Sequence, residues 1–344
     1  PARSPRAVQN AAVASDGKQW LAVYGGEDAL AANWIGADGA PTGDGFGIGP
    51  EAGYVARPRV IFNGEKFLVA WQTYGEQQKD VGAQWLTADG AGPVLDLGLS
   101  LAEDTVAFDL ALDGNGAARA MACGLHEATS SCQTALLNAD GTLAHESFDL
   151  PFPVLDFDLA FSGDQGMVLV ETTQHAVVWA TLDSDGSLLE WSTLEPNTAT
   201  GDGAAPSIIA DGDGYLAAWH RKDGLRVMRI SMEGDVGAQL LVAGDGSFTR
   251  PTLLPTADNL LLFSSKASAT CGYCTDGYVQ SLSLALDGAA SEAKLVAAGR
   301  ISGLSASLAG KSALLVSSSA DQLEVAQIDP KQLALQHLTC RGLS

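Results

Sequence analysis

The sequence is short of basic residues and of long apolar runs. Its 344 residues include 19 Lys and Arg against 41 Asp and Glu, a formal net charge of −22 at pH 7. Such a chain repels a phosphate backbone, so nucleic acid is not an expected partner. No segment approaches the ~20 apolar residues of a membrane-spanning helix. Because 46% of the residues are hydrophobic and only 17% are charged, the chain can bury a large core and is not a disordered acidic tail.

The motifs that mark common catalytic and ion-binding sites are also missing. There is no G-x-S-x-G elbow, no H-E-x-x-H pair and no phosphate-binding loop. Residues 15–20 have a composition similar to that of a sialidase Asp box, but their spacing differs. Residues 211–214 lack the flanking acids of a calcium-binding loop. We therefore expect no catalytic activity, no cofactor and no bound metal.

What the sequence does contain is an internal repeat, marked by two series of turns. Asn-Gly and Asp-Gly favour hairpins because both central residues of a type I′ turn need a positive φ. From Gly17 to Gly310 there are 293 residues over six intervals, about 49 per unit. The first series is Asp16-Gly17, Asn63-Gly64, Asp113-Gly114, Ser162-Gly163, Asp211-Gly212, a degenerate turn at 256–259, and Ala309-Gly310. The second is Asp38-Gly39, Asp89-Gly90, Asp140-Gly141, Asp185-Gly186, Gly234-Asp235, Asp287-Gly288 and Asp329-Pro330.

Short runs rich in Val, Leu, Ile, Trp and Tyr flank these turns, so each unit is predicted to hold four strands. Seven four-stranded antiparallel units predict an all-β, seven-bladed β-propeller, a single domain over residues 1–344. The last unit has its own fourth strand at about 332–340, so ring closure needs no strand from the N terminus. The predicted blades cover approximately residues 7–54, 55–104, 105–154, 155–204, 205–249, 250–301 and 302–344.

One form of the unit is especially clear. The pattern is P-x-V-x-F-x-G-x-x-F/Y-L-V/A-A-W, and residues 58–71 and 206–219 carry it best, ending at Trp71 and Trp219, with Ile208 and Ala210 at the Val and Phe positions of the second copy. This unit resembles a blade repeat of secreted bacterial propeller proteins, notably of myxobacteria. The resemblance implies a propeller fold and export, and it implies no single activity. The residues near the Trp position in the looser blades are Met121, Val170, Phe263 and Val316.

The cysteines lie mostly in pairs at the same place in the repeat. Cys123 and Cys132 flank the link between the middle strands of blade three, and Cys271 and Cys274 lie in the same link of blade six. We predict two disulfides and hence an oxidising compartment. One alternative is a thioredoxin-type redox motif at Cys271 and Cys274, which would need a helix N-terminus. Another is a zinc ion shared by the four cysteines, but blades three and six lie nearly opposite each other, too far apart for one tetrahedral site. Cys340 has no obvious partner.

Candidate binding residues lie at one end of the predicted blades. That end carries the link between the second and third strands and the connection to the next blade, and we call it the variable face. Histidines fall in equivalent links of blades three, four and five, which raises a metal hypothesis against the simpler view that surface links accept histidine. The candidate ligand-binding residues are Tyr74, Glu76, His126, His175, His220, Arg221, Tyr273 and Asp276.

Aromatic residues also repeat from blade to blade. Tyr24, Trp71 and Trp219 end second strands, and Trp34 and Trp85 share one third-strand register. They could form sugar-stacking pockets, or they could pack between blades as core.

These features lead to one hypothesis and two alternatives. The first is a non-catalytic, exported binding or assembly module that recognises a protein partner through the variable face. The second is a carbohydrate-binding propeller lectin. The third is a glycan-cleaving enzyme, which would need two carboxylates roughly 5–10 Å apart. The chain begins without a leader, which we interpret as the mature end of an extracellular, cell-surface or periplasmic protein. The oligomeric state stays open.

Overall fold

The structure is a computed structural model in which strands alternate with turns and short links. The regions it describes are residues 11–25, 30–49, 54–74, 79–88, 90–99, 105–126, 129–138, 142–196, 205–221, 223–243, 250–256, 260–267, 276–284, 294–300, 303–309, 312–318, 322–329 and 334–342. The strands group into seven four-stranded sheets, numbered here in chain order, with strands hydrogen-bonded in chain order. The prediction of an all-β propeller with four-stranded antiparallel blades is confirmed. No helix in these regions is long and apolar enough to cross a membrane.

The chain divides into two compact units. The first consists of Pro1–Tyr74, Gly82–Val94 and Thr252–Ser344. It contains most or all of sheets 1, 2, 6 and 7. Sheets 1 and 2 are β1 (Ala11–Ser15), β2 (Trp20–Gly25), β3 (Leu30–Ile35), β4 (Phe46–Ile48), β5 (Tyr54–Phe62), β6 (Phe67–Tyr74), β7 (Lys79–Thr87) and β8 (Gly90–Asp96). Sheets 6 and 7 are β21 (Thr252–Pro255), β22 (Leu260–Ala267), β23 (Asp276–Leu284), β24 (Lys294–Arg300), β25 (Gly303–Ala309), β26 (Ser312–Ser318), β27 (Gln322–Asp329) and β28 (Ala334–Gly342).

The second unit consists of Gly75–Val81 and Leu95–Pro251. It contains sheets 3, 4 and 5. Sheet 3 is β9 (Thr105–Leu112), β10 (Ala118–His126), β11 (Thr129–Leu137) and β12 (Leu143–Leu150). Sheets 4 and 5 are β13 (Val154–Ser162), β14 (Gln165–Thr172), β15 (Val177–Leu182), β16 (Leu188–Glu195), β17 (Ser207–Ala210), β18 (Gly214–Arg221), β19 (Gly224–Ser231) and β20 (Leu240–Ala243).

The turn chemistry that predicted the repeat is visible in the backbone. Asp16 Oδ1 accepts hydrogen bonds of 2.8 Å from the amides of Lys18 and Gln19, and Gly17 has a φ of 86°. In the second series, Gly186 has a φ of 94°, and a Cβ there would collide with Thr134 of the neighbouring sheet. Glycine is therefore required both for the backbone conformation and for the close approach of two sheets.

The sheets pack face to face through apolar residues. In the second unit, one core cluster joins sheets 3 and 4 through residues such as Met121, Phe157 and Val170. Another joins sheets 4 and 5 through Leu169 and Trp219. Such packing between neighbouring repeats is the main source of stability in this architecture.

In the first unit, sheet 1 packs against sheets 2 and 7. Trp20 of sheet 1 is fully buried, and its Nε1 donates to the carbonyl of Ser307 in sheet 7 at 3.2 Å. Sheet 7 has its own fourth strand, β28, as predicted.

The repeated aromatic position is a core position. Trp71 is 1% exposed and Trp219 is fully buried. The four residues predicted to replace this Trp are fully buried as well: Met121, Val170, Phe263 and Val316. Between the two roles weighed for these aromatics, packing between sheets is the one that the burial supports.

The Cys123–Cys132 disulfide is confirmed. The two residues are direct partners across β10 and β11, and both are fully buried in the core between sheets 3 and 4. Cys271, Cys274 and the motif between them lie outside the described residues, while Cys340 lies in β28.

Candidate functional site

Several site residues that were predicted to lie in links lie in strands in the structure. His220 and Arg221 were placed in the link of sheet 5, but β18 continues through Arg221, which pairs with Gly224. The link is therefore only residues 222–223. Tyr74 and His126 are the last residues of β6 and β10, and Asp276 is the first residue of β23. Glu76 and Tyr273 lie outside the described residues.

The link of sheet 4 is organised around a buried carboxylate. Glu171, 3% exposed, bonds to His175 through Oε1 and Nδ1 at 2.7 Å. Its other oxygen accepts the amide of Ala205 at 3.0 Å. The amide of His175 donates to the carbonyl of Thr172 at 2.7 Å, and His175 adopts a φ of 60°. A left-handed histidine is held here by its own side chain and backbone bonds.

Sheet 5 reaches the same link through Arg221. One terminal nitrogen of Arg221 donates to the carbonyl of His175 at 2.9 Å. Its Nε lies 3.2 Å from Oε2 of Glu195, at the end of β16. The same oxygen accepts Trp219 Nε1 at 2.6 Å and lies 3.7 Å from Nε of Arg226. Glu195 thus accepts a hydrogen bond from a core indole and lies within ion-pair distance of two guanidinium groups. The predicted residues His175 and Arg221 do lie together.

A second ion pair continues this network to the surface. Arg226 makes a bidentate contact with Asp223, with N–O distances of 2.6 and 3.0 Å. The hydrogen bond from Arg226 lowers the pKa of Asp223, and the same bond raises the pKa of Arg226. This bidentate ion pair extends the polar network from the buried Arg221 to the exposed Asp223.

His220 does not join this network. Successive side chains on a strand point to opposite faces of the sheet. Trp219 and Arg221 face sheet 4, so His220 faces away from it. It is 4% exposed, and burial lowers its pKa from 6.5 to about 4. Its imidazole is therefore neutral at pH 7, and its Nε2 has no hydrogen-bond partner among the described residues.

The arrangement of His175 and His220 does not support the metal hypothesis, and the side chain of His126 lies outside the described residues. His175 is bonded to Glu171, and His220 lies on the opposite face of sheet 5 from Arg221, which contacts His175. Across the regions that the structure describes, no three His, Cys, Asp or Glu side chains are grouped to hold a metal ion.

Sequence reasoning missed a second polar cluster, centred on Arg250. One terminal nitrogen donates to Asp158 at 3.0 Å, and the other donates to Asp156 at 2.7 Å and to the carbonyl of Phe157 at 2.8 Å. The first of these nitrogens also lies 4.0 Å from Asp109. Burial acts to lower the pKa of Arg250, but the three carboxylates raise it above its ordinary value.

Two of these carboxylates also hold neighbouring strands. Asp109 accepts the amide of Leu159 at 3.0 Å, and Asp158 accepts the amide of Ile208 at 2.7 Å. Burial and the adjacent Asp109 raise the pKa of Asp158 well above its ordinary value, although Arg250 opposes this. Each aspartate stands four residues before the first turn of its unit. An acidic residue four positions before the first turn, within an otherwise apolar first strand, was the sequence feature that could have indicated this cluster.

An aromatic pair with one exposed ring lies beside the outer strand of sheet 4. Phe152, in the connection from sheet 3, packs against Trp191 of β16 with ring centroids 5.3 Å apart and an interplanar angle of 70°. Trp191 is 46% exposed, whereas Trp71, Trp179 and Trp219 are buried. The pair joins the variable face to the outer strand of sheet 4.

No protein-family model matches the sequence, and no curated protein matches it. A structure from a study of two prolyl endopeptidases matches with a TM-score of 0.50 and 14% identity, over 94% of this chain and 46% of that chain. A neuraminidase-like protein from A/bat/Guatemala/164/2009 matches with a TM-score of 0.50 and 12% identity, over 88% of this chain and 93% of that chain. The chain thus spans about half the length of the first of these. At such identities the likeness shows the β-propeller fold alone, and the resemblance to myxobacterial repeats stays a prediction.

Proposed function

We propose that this protein is a non-catalytic, exported binding module that recognises a protein partner through its variable face. We further propose that the seven sheets are the blades of one seven-bladed propeller over residues 1–344. The observation that carries the binding role is the paired network of Glu171, His175, Arg221 and Glu195. It gives the variable face a fixed shape in which each of these charges already has a partner, as a rigid recognition surface requires.

The carboxylates at Arg250 favour binding over catalysis. A glycan-cleaving site needs one carboxyl free to donate a proton and another free to attack or to activate water. Asp109 and Asp158 instead accept backbone amides of the adjoining sheets and share Arg250. Export is supported by the buried disulfide, because such bonds persist in oxidising compartments.

A photo-crosslinking experiment tests the binding role. A benzoylphenylalanine placed at Thr173 or Gln174, both exposed in the link of sheet 4, should capture a protein from the surface fraction of the source organism. The same group at Ser184 or Glu233, exposed in turns at the opposite end of sheets 4 and 5, is the matched control. Capture from the turn positions alone, or equal capture from both ends, would contradict the proposal.

A lectin is the second candidate, because Trp191 offers an exposed indole on which a sugar ring could stack. Dose-dependent binding to a related set of glycans on an array, lost in Trp191→Ala, would favour the lectin over the protein-binding module. A blank array together with crosslinking from Thr173 would favour the module.

A further inference from the structure

The groove beside Trp191 has a defined set of walls. Phe148 pairs with Cys132, and both face sheet 4. Glu146 stands two residues before Phe148 on the unbroken strand β12, so it faces sheet 4 as well. Trp191 pairs with Ala180. Val178 and Leu182, each two residues from Ala180 on the same strand, face sheet 3, so Ala180 and Trp191 face it as well. The outer strands of sheets 3 and 4 therefore border a groove, called here the outer groove, whose walls are Glu146, Phe148, Phe152, Trp191 and Thr193.

The outer groove is apolar at its base and open to solvent at its rim. Phe148 and Phe152 are partly buried against the core between sheets 3 and 4. Trp191 is 46% exposed, and Glu146 and Thr193 are exposed. On the outer strand of sheet 4, Leu189 is 56% exposed beside the 46% exposed Trp191. Apolar surface of this kind, bordered by polar residues, is typical of a binding site.

The charge around the outer groove has one sign. Between Arg119 and Arg221 the sequence has 15 Asp and Glu and no Lys or Arg. The arginines described in sheets 3 to 5 already have carboxylate partners: Arg119, Arg221, Arg226 and Arg229. Among the described ion pairs, none involves Glu146, the carboxylate that faces the groove. The groove therefore lies in a negative field that the protein does not neutralise nearby.

We propose that the outer groove binds an arginine- or lysine-containing segment of the partner protein. A guanidinium group has the chemistry that these walls recognise, because it stacks on an indole face and pairs with a carboxylate. Trp191 supplies the exposed indole and Glu146 supplies the carboxylate. A neutral or acidic segment would gain the apolar contact but not the electrostatic one. This inference rests on the proposed function and specifies the chemistry of the partner.

The test uses fluorescein-labelled octa-arginine and the full chain, with binding followed by fluorescence anisotropy at about 0.1 M salt, where distant charges are screened. Trp191→Ala should weaken binding by about fivefold or more, and Trp191→Phe should retain most of it. Leu241→Ala removes an apolar side chain that is 56% exposed on the outer strand of sheet 5, and it should leave the affinity within about twofold.

A charge-matched pair of variants separates the groove from the overall charge of the chain. Glu146→Gln and Glu233→Gln each remove one exposed negative charge. We expect Glu146→Gln to weaken octa-arginine binding by about threefold and Glu233→Gln to change it less than half as much. Equal weakening by both variants would refute a localised site, as would an absence of binding by the unmodified chain.

The outcomes also separate this inference from the proposed function. Crosslinking from Thr173 to a protein whose contact segment lacks Arg and Lys would overturn the cationic partner and leave the binding module standing. Binding of a neutral oligosaccharide that is lost in Trp191→Ala, without octa-arginine binding, would overturn the inference and favour the lectin.

Discussion

The buried His220 makes the stability of this protein depend on pH in a calculable way. Its pKa is about 4 in the folded protein, because burial opposes charging, against 6.5 for the exposed side chain. Between these values the unfolded chain binds the proton and the folded protein does not, so stability rises with pH. The stability that depends on a neutral His220 is fully present near neutral pH and is lost as the pH falls from 6.5 towards 4. The difference corresponds to about 3 kcal/mol in total, most of which is lost by pH 4.5.

Urea unfolding, followed by tryptophan fluorescence at pH 7 and pH 4.5, measures this contribution. Carboxylates also titrate in this range, so the comparison is between the unmodified chain and His220→Gln. The unmodified chain should lose about 2 kcal/mol more stability than His220→Gln between the two pH values. His145→Gln, which replaces an exposed histidine of β12, should behave like the unmodified chain. Equal losses of stability in the unmodified chain and His220→Gln would refute the reasoning. An NMR titration that gives His220 a pKa near 6.5 would refute it as well.

Three further predictions concern other parts of the second unit. Replacing Cys123 and Cys132 by Ala should lower the free energy of unfolding by about 2.7 kcal/mol, as expected for a bridge that closes about ten residues; urea midpoints that do not move would contradict a structural disulfide. The raised pKa of Asp158 means that its ionisation opposes folding, so the unmodified chain should lose stability as the pH rises above the ordinary carboxyl pKa. Asp158→Asn should remove this loss. The measurement is the slope of unfolding free energy against pH above 4, and an unchanged slope in the variant would be inconsistent with the prediction. Glu195→Gln should destabilise by about 3 kcal/mol because it removes the negative charge that lies 3.2 Å from the buried Arg221. Thermal unfolding checks this, and a shift of the midpoint below about 2 °C would argue against it.

The candidate site was only partly predictable, for a specific reason. His175 and Arg221 were chosen from link composition, and the structure joins them by a hydrogen bond. His220 was chosen on the same grounds, but β18 runs two residues further than the turn signals indicated, and strand alternation places His220 on the other face. Where a strand ends is set by pairing with its neighbour, here Arg221 with Gly224, and a single strand does not carry that information.

The repeat and the four strands per unit followed from the sequence by itself, whereas the burial of the repeated Trp position was decided by the structure. Turn residues with positive φ and short apolar runs are local features, and local features can be read one unit at a time. The cluster at Arg250 depended on tertiary structure. Arg250 lies more than 90 residues from Asp156 and Asp158 in the chain, and only the packing of the sheets brings them within hydrogen-bond distance. The same holds for Glu195, which bonds Trp219 and Arg221 of the next sheet. Contacts between sheets are decided by how their faces pack, and that geometry is a property of the folded chain.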